Sequence, residues 1–306
     1  MHKLWNISVV SIILCILLIQ PVAANDIKIN KIVTSSINLQ IVAQYIIDGH
    51  VTSSVIETVS GAGGDLAIKR SITSHNSGMK NILFIQNSPY TINRIFNKEV
   101  SFDRDRDTII LPPIIVVPFA MVSAKFKTIK EIQEYSKTNN VFVGSTGSLT
   151  NIMNKVFVDK MGIKSHNIVY YKSHSDMSMS VIRGDIDYTF VVAGPPIADL
   201  QTPKINVLGV SGHSRLLTNP DVPLFTEIGL KEMNIAGYSF FATPNIKNPS
   251  EHLDMITSIF KDKKNIEYLR KQNLSILDIN TIDDANYFIK THISDKYNNI
   301  LRELEK

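Results

Sequence analysis

The chain has 306 residues, 20% of them charged, a formal net charge of +4 and one cysteine. A charge balance this mild argues against nucleic acid as a main partner, and a lone cysteine excludes a disulfide framework or a cysteine metal site.

The chain begins with a segment outside the expected fold. His2 and Lys3 precede an apolar run, Ile7 to Ile19, of signal-peptide length, and Val22-Ala23-Ala24 supplies small residues for cleavage before Asn25. An uncleaved anchor is the alternative. Cys15 lies in this leader, and Ile13-Leu14 do not fit a lipoprotein signal, so the exported chain is expected to lack cysteine. About 282 residues remain, enough for one large domain or two medium ones. No second long apolar run follows, so a soluble exported protein is expected.

Lys31-Ile32-Val33 reads as a strand. The polar break Thr34 to Asn38 leads to a helix with Leu39, Val42, Tyr45 and Ile46 on one face and a stop at Gly49. Val55 to Val59, the turn Gly61-Ala62-Gly63-Gly64-Asp65 and a helix from Leu66 repeat that order, and Ile82 to Ile85 is a third strand. Thr108 to Met121, with three prolines, reads as an extended crossing segment. Helix 129–136, strand 141–143, the loop GSTGSLTN, a helix stopped by Gly162, strand 168–171, helix 176–183, strand 186–192 and strand 207–210 follow. From Tyr238 the chain is extended again, then mostly helical from Pro249. Alternating strands and helices imply mostly parallel sheets, and two such sets imply two lobes with ligand loops at the carboxyl ends of the strands.

Those loops are rich in Ser, Thr, Asn and Gly and lack paired carboxylates or clustered histidines, which favours binding over catalysis. Gly61-Ala62-Gly63 begins a dinucleotide fingerprint, but Leu66 stands where the third glycine belongs, and Asp65 stands where a P-loop needs lysine. Asp65 is expected to cap the helix, so this turn reads as a cleft-edge structure. Gly144 to Thr150 carries no acid and is a better carboxylate receptor, with ordinary N-capping as the competing reading. Ser173-His174-Ser175-Asp176 reads as a helix cap rather than a triad, and His213 as a loop residue. The remaining histidines show no metal-ligand spacing, and Ser101 to Asp107, SFDRDRD, reads as a solvated loop. No metal, cofactor or catalytic residue is expected.

Gly61 to Gly64, Gly147-Ser148, Tyr170-Tyr171-Lys172, Gly184-Asp185-Ile186-Asp187 and above all Pro220-Asp221-Val222-Pro223, ending in Glu227-Ile228-Gly229, together resemble the substrate-binding proteins of tripartite tricarboxylate transporters, the Bug family. The resemblance covers nearly the whole chain after the leader. It implies an α/β, type II periplasmic binding fold, two lobes joined by a two-strand hinge. The expected lobes are 25–121 with 240–306, and 122–239, closing near Met121 and Tyr238. It further implies a monomeric periplasmic protein that captures a small organic acid and delivers it to large and small membrane subunits. Ser35, Ser36, Asn38 and Gln40 would fix one end of the ligand. Ser145, Thr146, Gly147, Ser148 and Thr150 would receive its carboxylate, and Gly63, Gly64, Lys172, Asp187 and Ala193 would line the rim. The stretch Thr34 to Gln40 lacks the family's glycine pair, and Gln40 stands where Asp is common. An amide there can donate and accept, which suits a ligand with an amide, hydroxyl or neutral polar end. A receptor for a membrane sensor and a secreted hydrolase are the alternative readings.

Overall fold

The computed structural model of the chain describes residues 29–51, 54–93, 102–172, 174–193, 205–212 and 214–304. The expected leader with Cys15, and Ser101, Ser173, Gly194, Pro195, Pro196 and His213, lie outside the described residues, as does the side chain of Ser148. Strand β1 (Lys31–Thr34) leads into α1 (Ile37–Ile47), β2 (Val55–Thr58) into α2 (Asp65–Asn76), and β3 (Asn81–Gln86) follows. A one-turn α3 (Arg104–Asp107) opens the long β4 (Thr108–Val117). Next come β5 (Phe119–Ser123), α4 (Ile129–Tyr135), β6 (Val141–Ser145), α5 (Ser148–Met161), β7 (His166–Tyr170), α6 (His174–Arg183), β8 (Tyr188–Val192) and β9 (Asn206–Val210). The chain ends with β10 (Gly237–Pro244), α7 (Ser250–Lys261), α8 (Lys263–Lys271), the two-residue β11 (Ser275–Ile276), α9 (Ile282–Tyr287), a π-helical segment Phe288–Ile293 and α10 (Ser294–Leu304).

These strands form two sheets, of order β11-β4-β10-β3-β1-β2 and β7-β6-β8-β5-β9. Pairing is parallel within β2-β1-β3 and β7-β6-β8, and antiparallel for β10, β4, β11, β5 and β9. The sheets are therefore mixed rather than mostly parallel, because the strands that leave one sheet and return to it must run against their neighbours. The single extended stretch read from Thr108 to Met121 is two strands. Pro118 separates them and cannot donate to a ladder, so β4 belongs to the first sheet and β5 to the second. Pro112 and Pro113 sit where β4 is out of step with β10, between the pairs Leu111 with Phe241 and Ile115 with Ser239, a bulge that spares them ladder hydrogen bonds.

Burial explains the layers. In α1, Leu39, Val42, Ala43, Ile46 and Ile47 recur at helical spacing and are buried, while Ser36 caps the helix by accepting from Leu39 N–H at 3.3 Å. In the second sheet alternate residues split between two cores. Phe119, Met121, Tyr188 and Phe190 face one side, with Phe157 and Phe225 in an edge-to-face ring cluster. Ala120, Val122, Val191 and Val210 face the other, against Met177 and Val181 of α6. The C-terminal α10 packs on α5, with Tyr297 Oη donating to Ala236 O at 2.8 Å and Lys296 Nζ to Asn234 O at 3.1 Å. The last helix thus straps the end of the chain to the lobe built on the second sheet.

Candidate functional site

Strand direction locates the site. The chain passes from the first sheet to the second between Val117 and Phe119 and returns between Ala236 and Gly237. In the first sheet Gly237 pairs with Val117, and Ser239 pairs with Gln86, the last residue of β3. In the second sheet Phe119 pairs with Val192, the last residue of β8. The carboxyl ends of both parallel sets therefore lie beside the crossings. The loops after them are tied to the crossings. Asn87 N–H donates to Tyr238 O at 2.9 Å and Tyr238 N–H to Asn87 Oδ1 at 3.0 Å, while Ala193 N–H donates to Pro118 O at 2.8 Å. Met121 and Tyr238, read as hinge neighbours, lie inside β5 and β10 a few residues from these crossings.

The wall of the first lobe is a hydroxyl and amide chain. Thr34 Oγ1 and Thr58 Oγ1 are 2.9 Å apart, and Thr58 Oγ1 donates to Gln40 Oε1 at 2.5 Å. Thr58 takes one lone pair of the Gln40 carbonyl, which leaves both amide N–H donors and a second lone pair. Ser36 spends a lone pair on the α1 cap and keeps its proton, and Ser35 and Asn38 are half-buried beside it. Ile37 is exposed at the start of α1.

The glycine turn is held differently. Gly61, Ala62, Gly63 and Gly64 all have positive φ, at 129°, 46°, 60° and 105°. Asn93 Nδ2 donates to Ala62 O at 2.9 Å, and a Cβ on Gly63 would lie 2.5 Å from that nitrogen, so only glycine admits the contact. Gly64 is buried under Pro89. Asp65 does not act as the expected cap: the cap position is Gly64, and the Asp65 carboxylate is buried against Arg104, whose Nε and Nη2 donate to it at 3.0–3.2 Å. The reading of SFDRDRD as wholly solvated is corrected by the same pair. Arg104 is 7% exposed, drawn inward because a buried carboxylate needs a partner, and Asp103 caps α3 through Asp105 and Arg106 N–H.

The wall of the second lobe is neutral. Ser145 and Thr150 are buried, their hydroxyls 2.8 Å apart. Ser145 Oγ donates to Asn151 Oδ1 at 2.6 Å and accepts from Gly147 N–H at 3.0 Å. Thr150 Oγ1 accepts from Thr146 N–H at 3.1 Å and donates to Gly147 O at 2.8 Å. These hydroxyls, expected to face a ligand, face one another and fix the loop. What the loop presents is the start of α5: Gly147, at φ 88°, has no side chain to cap it, and the first turn carries no acid. That arrangement leaves N–H groups and the positive helix end toward the cleft.

The other expected rim residues divide. Lys172 is exposed on the loop after β7, and Ala193 is buried at the crossing. Asp187 is not brought there. It precedes β8, at the end of the sheet opposite Ser145, and its carboxylate is taken by Lys125 Nζ at 2.7 Å and Phe142 N–H at 2.8 Å. Residues outside the expected site set also lie at the crossing end: Thr58, the last residue of β2, Asn87, and His174, the first of α6, read as part of a helix cap, whose ring lies 6.4 Å from that of Phe119. Burial pushes the His174 pKa down to about 4. A strand-terminal hydroxyl before a glycine turn is the one signal that would have found Thr58.

A serine, a histidine and an aspartate meet elsewhere, where His50 Nε2 is 3.2 Å from Asp262 Oδ2 and Nδ1 is 3.4 Å from Ser258 Oγ. Ser258 donates instead to Met255 O at 2.7 Å, so this cluster ties α1 to α7 and α8 rather than activating a nucleophile. Among the described residues no group of three or more His, Cys, Asp or Glu side chains could hold a metal ion, and no helix is long and apolar enough to cross a membrane.

Residues 40–305 match the family described as tripartite tricarboxylate transporter family receptor. A UPF0065 protein of Bordetella bronchiseptica is 25% identical over 209 residues, 66% of this chain, and the match spans 57% of that relative's length. A Rhodopseudomonas palustris protein solved with adipate superposes with a TM-score of 0.79 at 16% identity, over 91% of this chain and 97% of its own. MatC of the same organism, solved with malate, gives 0.75 at 14% identity, over 90% and 99%. The periplasmic binding protein BugD gives 0.75 at 15% identity, over 90% and 97%.

Proposed function

Since the chain belongs to the tripartite tricarboxylate transporter receptor family, we propose that it captures a small organic acid between its lobes and delivers it to the large and small membrane subunits of such a transporter. It does so as a monomer in the periplasm after loss of its leader. The start of α5 is the observation that carries this reading. A neutral loop, locked by its own hydroxyls, leaves an uncapped helix end free of acid at the cleft, where a carboxylate is stabilised by N–H groups and by the helix dipole. The malate and adipate in related folds support the same ligand class.

The two walls would divide the ligand. The α5 end receives one carboxylate. The Gln40 amide and the Ser36 hydroxyl, both donors, meet an acceptor at the other end, a second carboxylate, carbonyl or hydroxyl oxygen. Closure would hinge at the crossings 117–119 and 236–237, where Gly237 packs closely: a Cβ there would sit 3.1 Å from Phe119 Cε2. The glycine turn, braced by Asp65 and Arg104, keeps the rim of the first lobe rigid as the lobes meet. A melting assay of the leaderless protein against malate, adipate, succinate, glutarate and citrate tests the reading. At least one acid at a hundredfold excess over its Kd should stabilise the fold by about 2.7 kcal/mol, and no rise with any of them would sink it.

A further inference from the structure

We propose that His174 is a ligand-contacting group of the second lobe, donating the Nε2 hydrogen to an oxygen of an acid held between the lobes; this rests on the carboxylate-binding function proposed above. Its place follows from the topology. His174 opens α6, which follows β7, and β7 ends at Tyr170 beside Ser145. Its ring lies 6.4 Å from Phe119, tilted by 51°, and Phe119 is the first residue after the chain crosses from the first lobe. Gly237, at the return crossing, approaches the same Phe119 ring. The imidazole therefore stands where the two lobes meet, at the same end of the sheet as the α5 receptor loop.

The state of the ring gives it a function. Among the described residues Nδ1 is enclosed and has no hydrogen-bond partner, while the residue as a whole is only part-buried. A buried N–H without an acceptor costs more than a buried lone pair, so the proton belongs on Nε2. Burial also keeps the ring neutral near pH 7. The result is a neutral donor beside an aromatic ring, at the end of the sheet where the lobes meet. It adds a donor to a wall where the Ser145 and Thr150 hydrogens are spent on Asn151 Oδ1 and Gly147 O.

Calorimetric titration of wild type, His174→Leu and His174→Gln with the acid that most stabilises the wild type, malate or adipate being first in line, tests the assignment. Leu keeps the bulk and removes the donor, so affinity should fall about tenfold or more. Gln returns an N–H near the Nε2 position and should stay within about threefold. Undiminished binding by His174→Leu would overturn the assignment alone, whereas a wild type that binds no acid would overturn it together with the proposed function. A second measurement needs no folded variant. In wild-type protein labelled with 15N-histidine, the His174 ring signals should shift when that acid saturates the protein, and an unchanged ring at saturation refutes the contact.

Discussion

The turn before α2 and the turn before α5 look alike in sequence and behave as opposites in the fold. Both follow a parallel strand, both are glycine-bearing, and both open a helix at the cleft. The first has four successive positive-φ residues and a carboxylate in the first turn, paired inside the protein with Arg104. The second has one such glycine, no acid, and two buried hydroxyls that accept from Thr146 and Gly147 N–H and donate within the loop. Glycine density therefore does not mark the anion site. The charge at the first helical turn does, because a carboxylate already resident there opposes a second one.

The largest test breaks the first turn. Arg104→Met removes the two-nitrogen Arg104 contact from the buried Asp65 carboxylate and should cost about 3–5 kcal/mol in urea unfolding, while the loop before α5 is untouched. Less than about 1 kcal/mol would mean that Asp65 is not held as described.

Acid sharpens the contrast, since the wall of the second lobe has a neutral histidine where the first has a charge pair. His174 titrates at about 4 when folded and at about 6.5 when unfolded. The unfolded chain takes up the proton first, so stability is full above pH 6.5 and falls as the pH drops toward 4, by up to about 3 kcal/mol. His252, also pushed down by burial, adds to the same slope. In denaturation curves taken between pH 7 and 4, His174→Gln should flatten the decline; an unchanged slope assigns it to other groups.

Ser148→Asp makes the second turn resemble the first by placing a carboxylate at the start of α5. Acid affinity should fall about tenfold or more with stability changed by less than about 1 kcal/mol. Unaltered affinity in calorimetry would move the receptor elsewhere. Thr58→Val is the mildest change. It strands the Gln40 carbonyl at the first wall and should lower stability by about 1 kcal/mol, read as a small drop in melting temperature.

Much of the architecture was legible because local rules and the fold agree. Leu39, Val42 and Ile46 have helical spacing and are buried in α1, Gly162 ends α5 with φ 64°, and strand-helix alternation gave two lobes. The site was legible only as loops. The Ser145 and Thr150 hydroxyls donate within their own loop, because whether a hydroxyl meets a ligand or its neighbour depends on side-chain direction within one turn. Asp187 was placed with the rim although strand direction carries it to the far end of the sheet.

Sequence alone determined the order of elements, the two-lobed class, the family and the neutral, hydroxyl-rich character of the loops, since periodicity, composition and turn chemistry are properties of neighbouring residues. Tertiary structure decided the rest: that the prolines at 112, 113 and 118 bulge one strand and divide two sheets, that Arg104 is buried with Asp65 across 39 residues, that the Gln40 carbonyl is engaged by Thr58, and that His174 stands at the crossing. Each depends on which groups meet across the chain, where burial and pairing outweigh any local preference.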